Sequence, residues 1–168
     1  MFARGLAIAA VTLVLDQISK WWVLSVFDLP SRGVVEVLPF FNLAMVWNRG
    51  VSFGLMAADG DLGRWLLVGL TVAISVGVLV WLRRATDVLT VLGLGLILGG
   101  AIGNIIDRIA YGAVADFVQL HAFGYSFYVF NVADAGITIG VALLLWDAIL
   151  SGKDGVTPGE GEQAPRNR

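Results

Sequence analysis

Four stretches of the chain stay apolar for the roughly 20 residues that a helix needs to cross a bilayer. They cover about residues 6–27, 65–82, 88–106 and 129–150. The second carries no charge, and the third holds only Asn104 as a strongly polar residue. The first is interrupted by Asp16, Gln17 and Lys20; the fourth carries Asn131 and Asp134 near its start and Asp147 near its end. The first stretch is too long for a signal-peptide core, has charges inside it and lacks an A-x-A-like exit, so it is expected as a retained span. Residues 33–38 and 40–47, rich in Val, Phe and Leu around Pro39, predict two short strands. Residues 151–168 are rich in Gly, Pro and charge and predict a disordered cytoplasmic tail. The expected fold is an all-α integral membrane domain over residues 1–150, with four transmembrane helices. A small extracytoplasmic β-rich cradle is expected in loop 28–64, between helices 1 and 2.

Basic residues orient this layout. Arg4, the Arg83–Arg84 pair and Lys153, Arg166 and Arg168 flank the spans at one end, whereas no Lys or Arg falls between Ile109 and Phe130. By the positive-inside rule both termini are expected in the cytoplasm, and loops 28–64 and 109–128 outside. Gly95, Gly99 and Gly103 recur every four residues on the third span, as do Gly136 and Gly140 on the fourth. Such stripes let backbones approach closely, and predict that spans three and four pack on these faces.

Composition narrows the chemistry. Of the 168 residues 58% are hydrophobic and 14% charged, against about 25% charged in soluble domains, so lipid is part of the solvent. A net charge of −2 gives no basis for nucleic-acid binding. The absence of cysteine removes disulfides, thiolate metal sites and thiol nucleophiles, and the single histidine, His121, argues against a histidine-rich metal centre. No cofactor and no metal are expected.

What remains is a set of polar residues that lipid excludes unless protein or a wet cavity surrounds them. Asp16 and Lys20 stand four apart on one helical face and can pair. Asn104, Asp107 and Arg108 cluster at the outer end of the third span. Asp116 lies in the apolar run Ala113–Val118, read as an outer loop close to the membrane, and Asn131 and Asp134 share a face of the fourth span. Two carboxylates in one site share a proton, so one can activate water while the other protonates a carbonyl. Asp116 and Asp134 belong to the same side and permit such a pair. Asp107 is a rival partner, although Arg108 beside it suggests a structural ionic role. Adjacent Ser19 and Lys20 point about 100° apart on a helix and make a poor nucleophile–base couple. The reading from a different class is a small ion or proton transporter using the embedded aspartates. It is weakened by the absence of an inverted repeat and by the gathering of polar residues toward one side.

Five short blocks occur in order. Asp16-Gln17-Ile18-Ser19-Lys20 resembles D-Q-x-[ST]-K, and Asn48-Arg49-Gly50-Val51-Ser52-Phe53 resembles N-x-G-x-[AS]-F. Gly99 to Arg108 resembles G-G-x-x-G-N-x-x-D-R, Val114-Ala115-Asp116-Phe117 resembles V-x-D-F, and Phe130 to Asp134 resembles F-N-x-A-D. Together with the four-span layout they resemble the bacterial lipoprotein signal peptidases (signal peptidase II). The resemblance implies an aspartyl endopeptidase of the cytoplasmic (inner) membrane with Asp116 and Asp134 as the catalytic pair. It implies as substrate a prolipoprotein whose cysteine carries diacylglycerol, cleaved before that cysteine at the outer face. Asp16, Lys20, Asn48, Gly50, Asn104, Asp107, Arg108 and Asn131 match positions expected to line or brace the site. Arg49 departs from the smaller polar residue often found there. The expected partners are lipid-modified prolipoproteins and membrane phospholipids, with the enzyme monomeric.

Overall fold

The computed structural model describes residues 1–50, 61–122 and 125–153. Part of the second block, Val51-Ser52-Phe53, and residues 154–168 of the expected tail lie outside the described residues. Four helices are long and apolar enough to cross a membrane. α1 (Phe2–Trp21) continues as a π-helical turn over Trp22–Val26, closed by the Phe27 N–H on the Trp22 carbonyl at 2.8 Å. A short α2 (Leu29–Arg32) follows. α3 is Asp61–Arg84, α4 is Val88–Tyr111 and α5 is Val132–Lys153. α4 begins where the Asp87 carboxylate caps the Thr90 N–H at 3.0 Å, and ends where Gly112 turns with φ 79°. It is the central helix: 67% of its span is buried, against 22% for α1 and 17% for α3 and α5.

The glycines expected to join spans three and four divide between two neighbours instead. A Cβ on Gly95 would stand 2.8 Å from the Gly5 carbonyl oxygen, and Gly99 faces Ala9 and Thr12, so this stripe of α4 packs on α1. α5 is met by another face of α4, where Gly93 and Gly140 abut: a Cβ on Gly140 would stand 2.6 Å from the Gly93 carbonyl oxygen. Gly136 faces Thr12 of α1 and the Leu96 carbonyl oxygen of α4, which a Cβ would meet at 3.0 and 3.5 Å. The spacing of four identified close approach correctly and assigned the wrong partner to one stripe, because α4 is surrounded and offers glycines on two sides.

At one end of the bundle lies a four-stranded antiparallel sheet in the order β1-β2-β3-β4. β1 (Val34–Leu38) and β2 (Phe41–Asn48) agree with the two strands expected from the first outer loop. β3 (Val114–Ala122) and β4 (Tyr125–Phe130) come from the connection between α4 and α5, where no strand was expected. Asp116 is therefore a strand residue, and the expected start of the fourth span at about residue 129 falls in β4. The sheet is held to the bundle by a second apolar cluster in which Val23 of the π-helical turn, Leu29 of α2 and Phe117 of β3 are buried together. Burying such side chains contributes about 1.5–3 kcal/mol each. Phe117 anchors the strand next to Asp116.

Candidate active site

Asp116 is positioned by the sheet. β2 and β3 pair with Val46 opposite Asp116 and Asn48 opposite Val114. Alternate residues of a strand share a face, so Asn48 is the diagonal neighbour of Asp116. Its side-chain amide donates to Asp116 Oδ2 at 3.0 Å. Asn48 Oδ1 in turn accepts the N–H of Gly50 at 2.8 Å, where the chain turns with φ 78°. The other oxygen, Asp116 Oδ1, accepts the Asn131 amide at 2.6 Å. Asp116 is 1% exposed. Burial pushes its carboxyl from an ordinary 3.8 up to about 6; the Asn48 amide opposes this, the Asp134 charge adds to it, and Asn131 and Lys20 oppose it.

Asp134 is positioned by a helix start. Asn131 is the N-cap of α5, with its Oδ1 accepting the N–H of Asp134 at 2.9 Å. Asp134 thus lies in the first turn of α5. Asn104 of α4 donates to Asp134 Oδ1 at 2.8 Å, and the Asn131 amide donates to Asn104 Oδ1 at 3.3 Å. One side chain, Asn131, therefore touches the Asp116 carboxylate and the backbone of Asp134.

Behind this pair is a buried ionic cluster. Lys20 Nζ lies 2.7 Å from Asp16 Oδ2 and 2.8 Å from Asp107 Oδ2, and donates to Asn104 Oδ1 at 3.4 Å. The expected Asp16–Lys20 pair is present. Asp107 has the structural ionic role expected of it, but its partner is Lys20 rather than Arg108. Gln17, part of the first block but not among the residues expected at the site, donates to Asp16 at 3.1 Å and to Asp107 at 3.2 Å. Its place beside Asp16, one turn from the lysine, was the available signal.

Arg108 is half-buried. Its Nη1 donates to the Asn104 carbonyl at 3.3 Å, its Nε has no hydrogen-bond partner among the described residues, and its charge is within Coulombic range of Asp134, Asp116 and Asp107. A Cβ on Gly50 would stand 3.7 Å from its Nη2, so the Asn48–Gly50 turn and Arg108 border the same space. His121 lies farther along β3 and bonds Asn42 Oδ1 at 3.1 Å. Among the described residues, no group of three or more His, Asp or Glu could hold a metal ion. The eight residues expected to line or brace the site gather around the two aspartates.

Fold and site define a polytopic membrane protein with two linked carboxylates where its helices meet a small sheet. The family model described as signal peptidase (SPase) II matches residues 8–150. The lipoprotein signal peptidase of Methylobacterium sp. (strain 4-46) is 58% identical over 147 residues, covering 88% of this chain and 89% of that protein. That of Methylobacterium radiotolerans is 50% identical over 167 residues, covering 98% of each. A bacterial membrane enzyme structure obtained by the in meso method at 2.3 Å resolution superposes with a TM-score of 0.77 at 26% identity, covering 95% of each chain. The chain belongs to the signal peptidase II family. It is an aspartic peptidase, and the ion-transport reading finds no support.

Proposed function

We propose that Asp116 and Asp134 are the catalytic pair of an endopeptidase that removes the signal peptide of diacylglyceryl-modified prolipoproteins, cleaving before the lipidated cysteine. The observation that carries this reading is the Asn131 bridge, which ties one carboxylate to the backbone of the other. The hydrogen bonds also divide the roles. Both oxygens of Asp116 accept amide N–H groups, which favours its ionised form. Asp134 accepts the Asn104 amide at Oδ1, and the proton that two carboxyls of one site share is assigned to it. Asp116 takes a proton from water as its oxygen attacks the scissile carbonyl carbon, and Asp134 gives its proton to the carbonyl oxygen. The tetrahedral diol then collapses: the C–N bond breaks, the amine leaves with the proton from Asp116, and a diol proton returns to Asp134. Arg108, beside the pair and with an Nε that has no partner among the described residues, is suited to hold a substrate carbonyl.

Charge supports an outer side of action. Arg4 and the Arg83–Arg84 pair lie at the ends of α1 and α3 remote from the sheet, which supports cytoplasmic termini and an outward-facing sheet and pair. A scissile bond next to a lipid-modified cysteine lies near the headgroup boundary, and the start of α5, a helix of membrane-spanning length, suits that depth. The test is cleavage of a lipid-modified prolipoprotein and its unlipidated form by Asp116→Asn and Asp134→Asn. Loss of lipid-dependent cleavage in both variants, with insertion intact, is expected. Full activity in either overturns the assignment.

A further inference from the structure

The buried ionic cluster makes two bonds that neither pairs charges nor fills space. Asp16 Oδ1 accepts the backbone N–H of Ala133 at 2.9 Å, and Asp107 Oδ2 accepts that of Ala115 at 3.0 Å. Ala133 directly precedes Asp134, and Ala115 directly precedes Asp116. Lys20 joins the two acceptors, and its third bond goes to Asn104, which holds the Asp134 carboxylate. An ammonium has three donors, and all three lead to the aspartate pair. We propose that Lys20 is a positioning residue: with Asp16 and Asp107 it clamps the backbone before each aspartate and so sets the separation at which the pair shares its proton. The inference rests on the reading of Asp116 and Asp134 as the catalytic pair.

The energetics favour this over a purely stabilising role. Asp16, Lys20 and Asp107 are 0%, 3% and 1% exposed. Burying such an ion cluster is commonly no more stabilising than packing apolar side chains of the same volume. Apolar side chains, however, cannot accept an N–H. β3 and α5 are separate elements, and the cluster ties both backbones to α1. The geometry of proton sharing is sensitive to small displacements, which is where such a tie has its effect.

The Lys20 charge also acts on Asp116 directly. The charged groups around Asp116 are Asp134 from α5, Lys20 from α1 and Arg108 from α4, with Asp107 on the preceding N–H. β2 contributes the neutral Asn48. Removing the Lys20 ammonium takes away one group that favours the ionised form of Asp116. The experiment measures kcat, KM and the pH profile of the purified full-length enzyme on a lipid-modified prolipoprotein. It compares wild type, Lys20→Met and the Asp16→Asn/Lys20→Met double variant, with Asp116→Asn as the inactive reference. The double variant leaves the net charge of the cluster unchanged and decides the question if the single variant does not fold. Expected are a fall in kcat of about 100-fold with KM nearly constant, and an acid limb displaced to higher pH. A folded variant with wild-type kcat overturns the clamp. Activity in Asp116→Asn instead overturns the underlying assignment, so the two failures are distinct.

Discussion

Asn131 holds Asp116 with its amide at 2.6 Å while its carbonyl oxygen caps the helix that carries Asp134. One side chain thus does a helix-capping job and a site-building job, and the two can be separated. Asn131→Ala removes both. It should destabilise the protein by about 1 kcal/mol through the lost cap and lower kcat by about 100-fold through the released carboxylate. Asn131→Ser keeps an acceptor for the Asp134 N–H but has no amide. Its thermal stability should return toward wild type while kcat stays low. Equal recovery of both in the serine variant would show that the bond to Asp116 is dispensable.

Acid and base dependence follows from Asp116. With its carboxyl pushed up to about 6 by burial, kcat/KM should rise through a limb near that pH, as the base becomes ionised. The limb belongs to the coupled pair rather than to one residue. Asn48 is the largest group holding the value down. Asn48→Ala should therefore move the limb to higher pH, and should raise KM as well, because the turn at Gly50 loses its acceptor. A limb that does not move in Asn48→Ala would detach Asp116 from the base role.

The same displacement has a stability consequence of defined sign. Between 3.8 and about 6 the folded state binds a proton at Asp116 that the unfolded chain has lost. This contribution to stability is fully present below 3.8 and is lost as pH rises through about 6. At neutral pH the buried carboxylate works against folding. In Asp116→Asn one of the two amide donors loses its acceptor, so the absolute stability of the variant carries that loss as well. What isolates the titration is the pH dependence: between pH 4 and pH 7.5 the variant should lose less stability than wild type, by on the order of 1 kcal/mol. Thermal unfolding in detergent at the two pH values measures it, and equal losses in the two proteins would contradict it.

The spans were legible because lipid tolerates only long apolar helices, and the Asp16–Lys20 pair because helical spacing announces it. The strands around Asp116 were not. Residues 114–117 of β3 are all buried, so the polar–apolar alternation that marks a half-exposed strand is missing. β4 is apolar and aromatic, and hydropathy alone merged its end with the following span. One signal was available: Asn131-x-x-Asp134 has the form of a helix start and places it at Val132. Pairing Asp107 with Lys20 had no local trace, since the two residues come from separate helices. Arg108 is next in sequence but projects in another direction on α4.

Glycine substitutions separate the scaffold from the site. Gly103 faces the Asp16 carboxylate, and a Cβ there would also stand 3.6 Å from Ala133 Cβ. Gly103→Ala pushes the carboxylate away from the Ala133 N–H and should lower kcat at least about 10-fold. Gly140 abuts Gly93 about two helical turns further along α5, on the side away from the sheet, with backbone atoms that cannot yield. Gly140→Ala should lose about 1–3 kcal/mol of stability through overpacking, with kcat per folded molecule nearly unchanged. At Gly77 a Cβ meets nothing within 4 Å, so Gly77→Ala is the control and should change neither quantity for the worse. Unfolding midpoints and kcat of the three variants, measured in one detergent, check the pattern. If Gly103→Ala and Gly140→Ala lost activity equally at equal stability, the close approach at Gly103 would have no special connection to the aspartate pair.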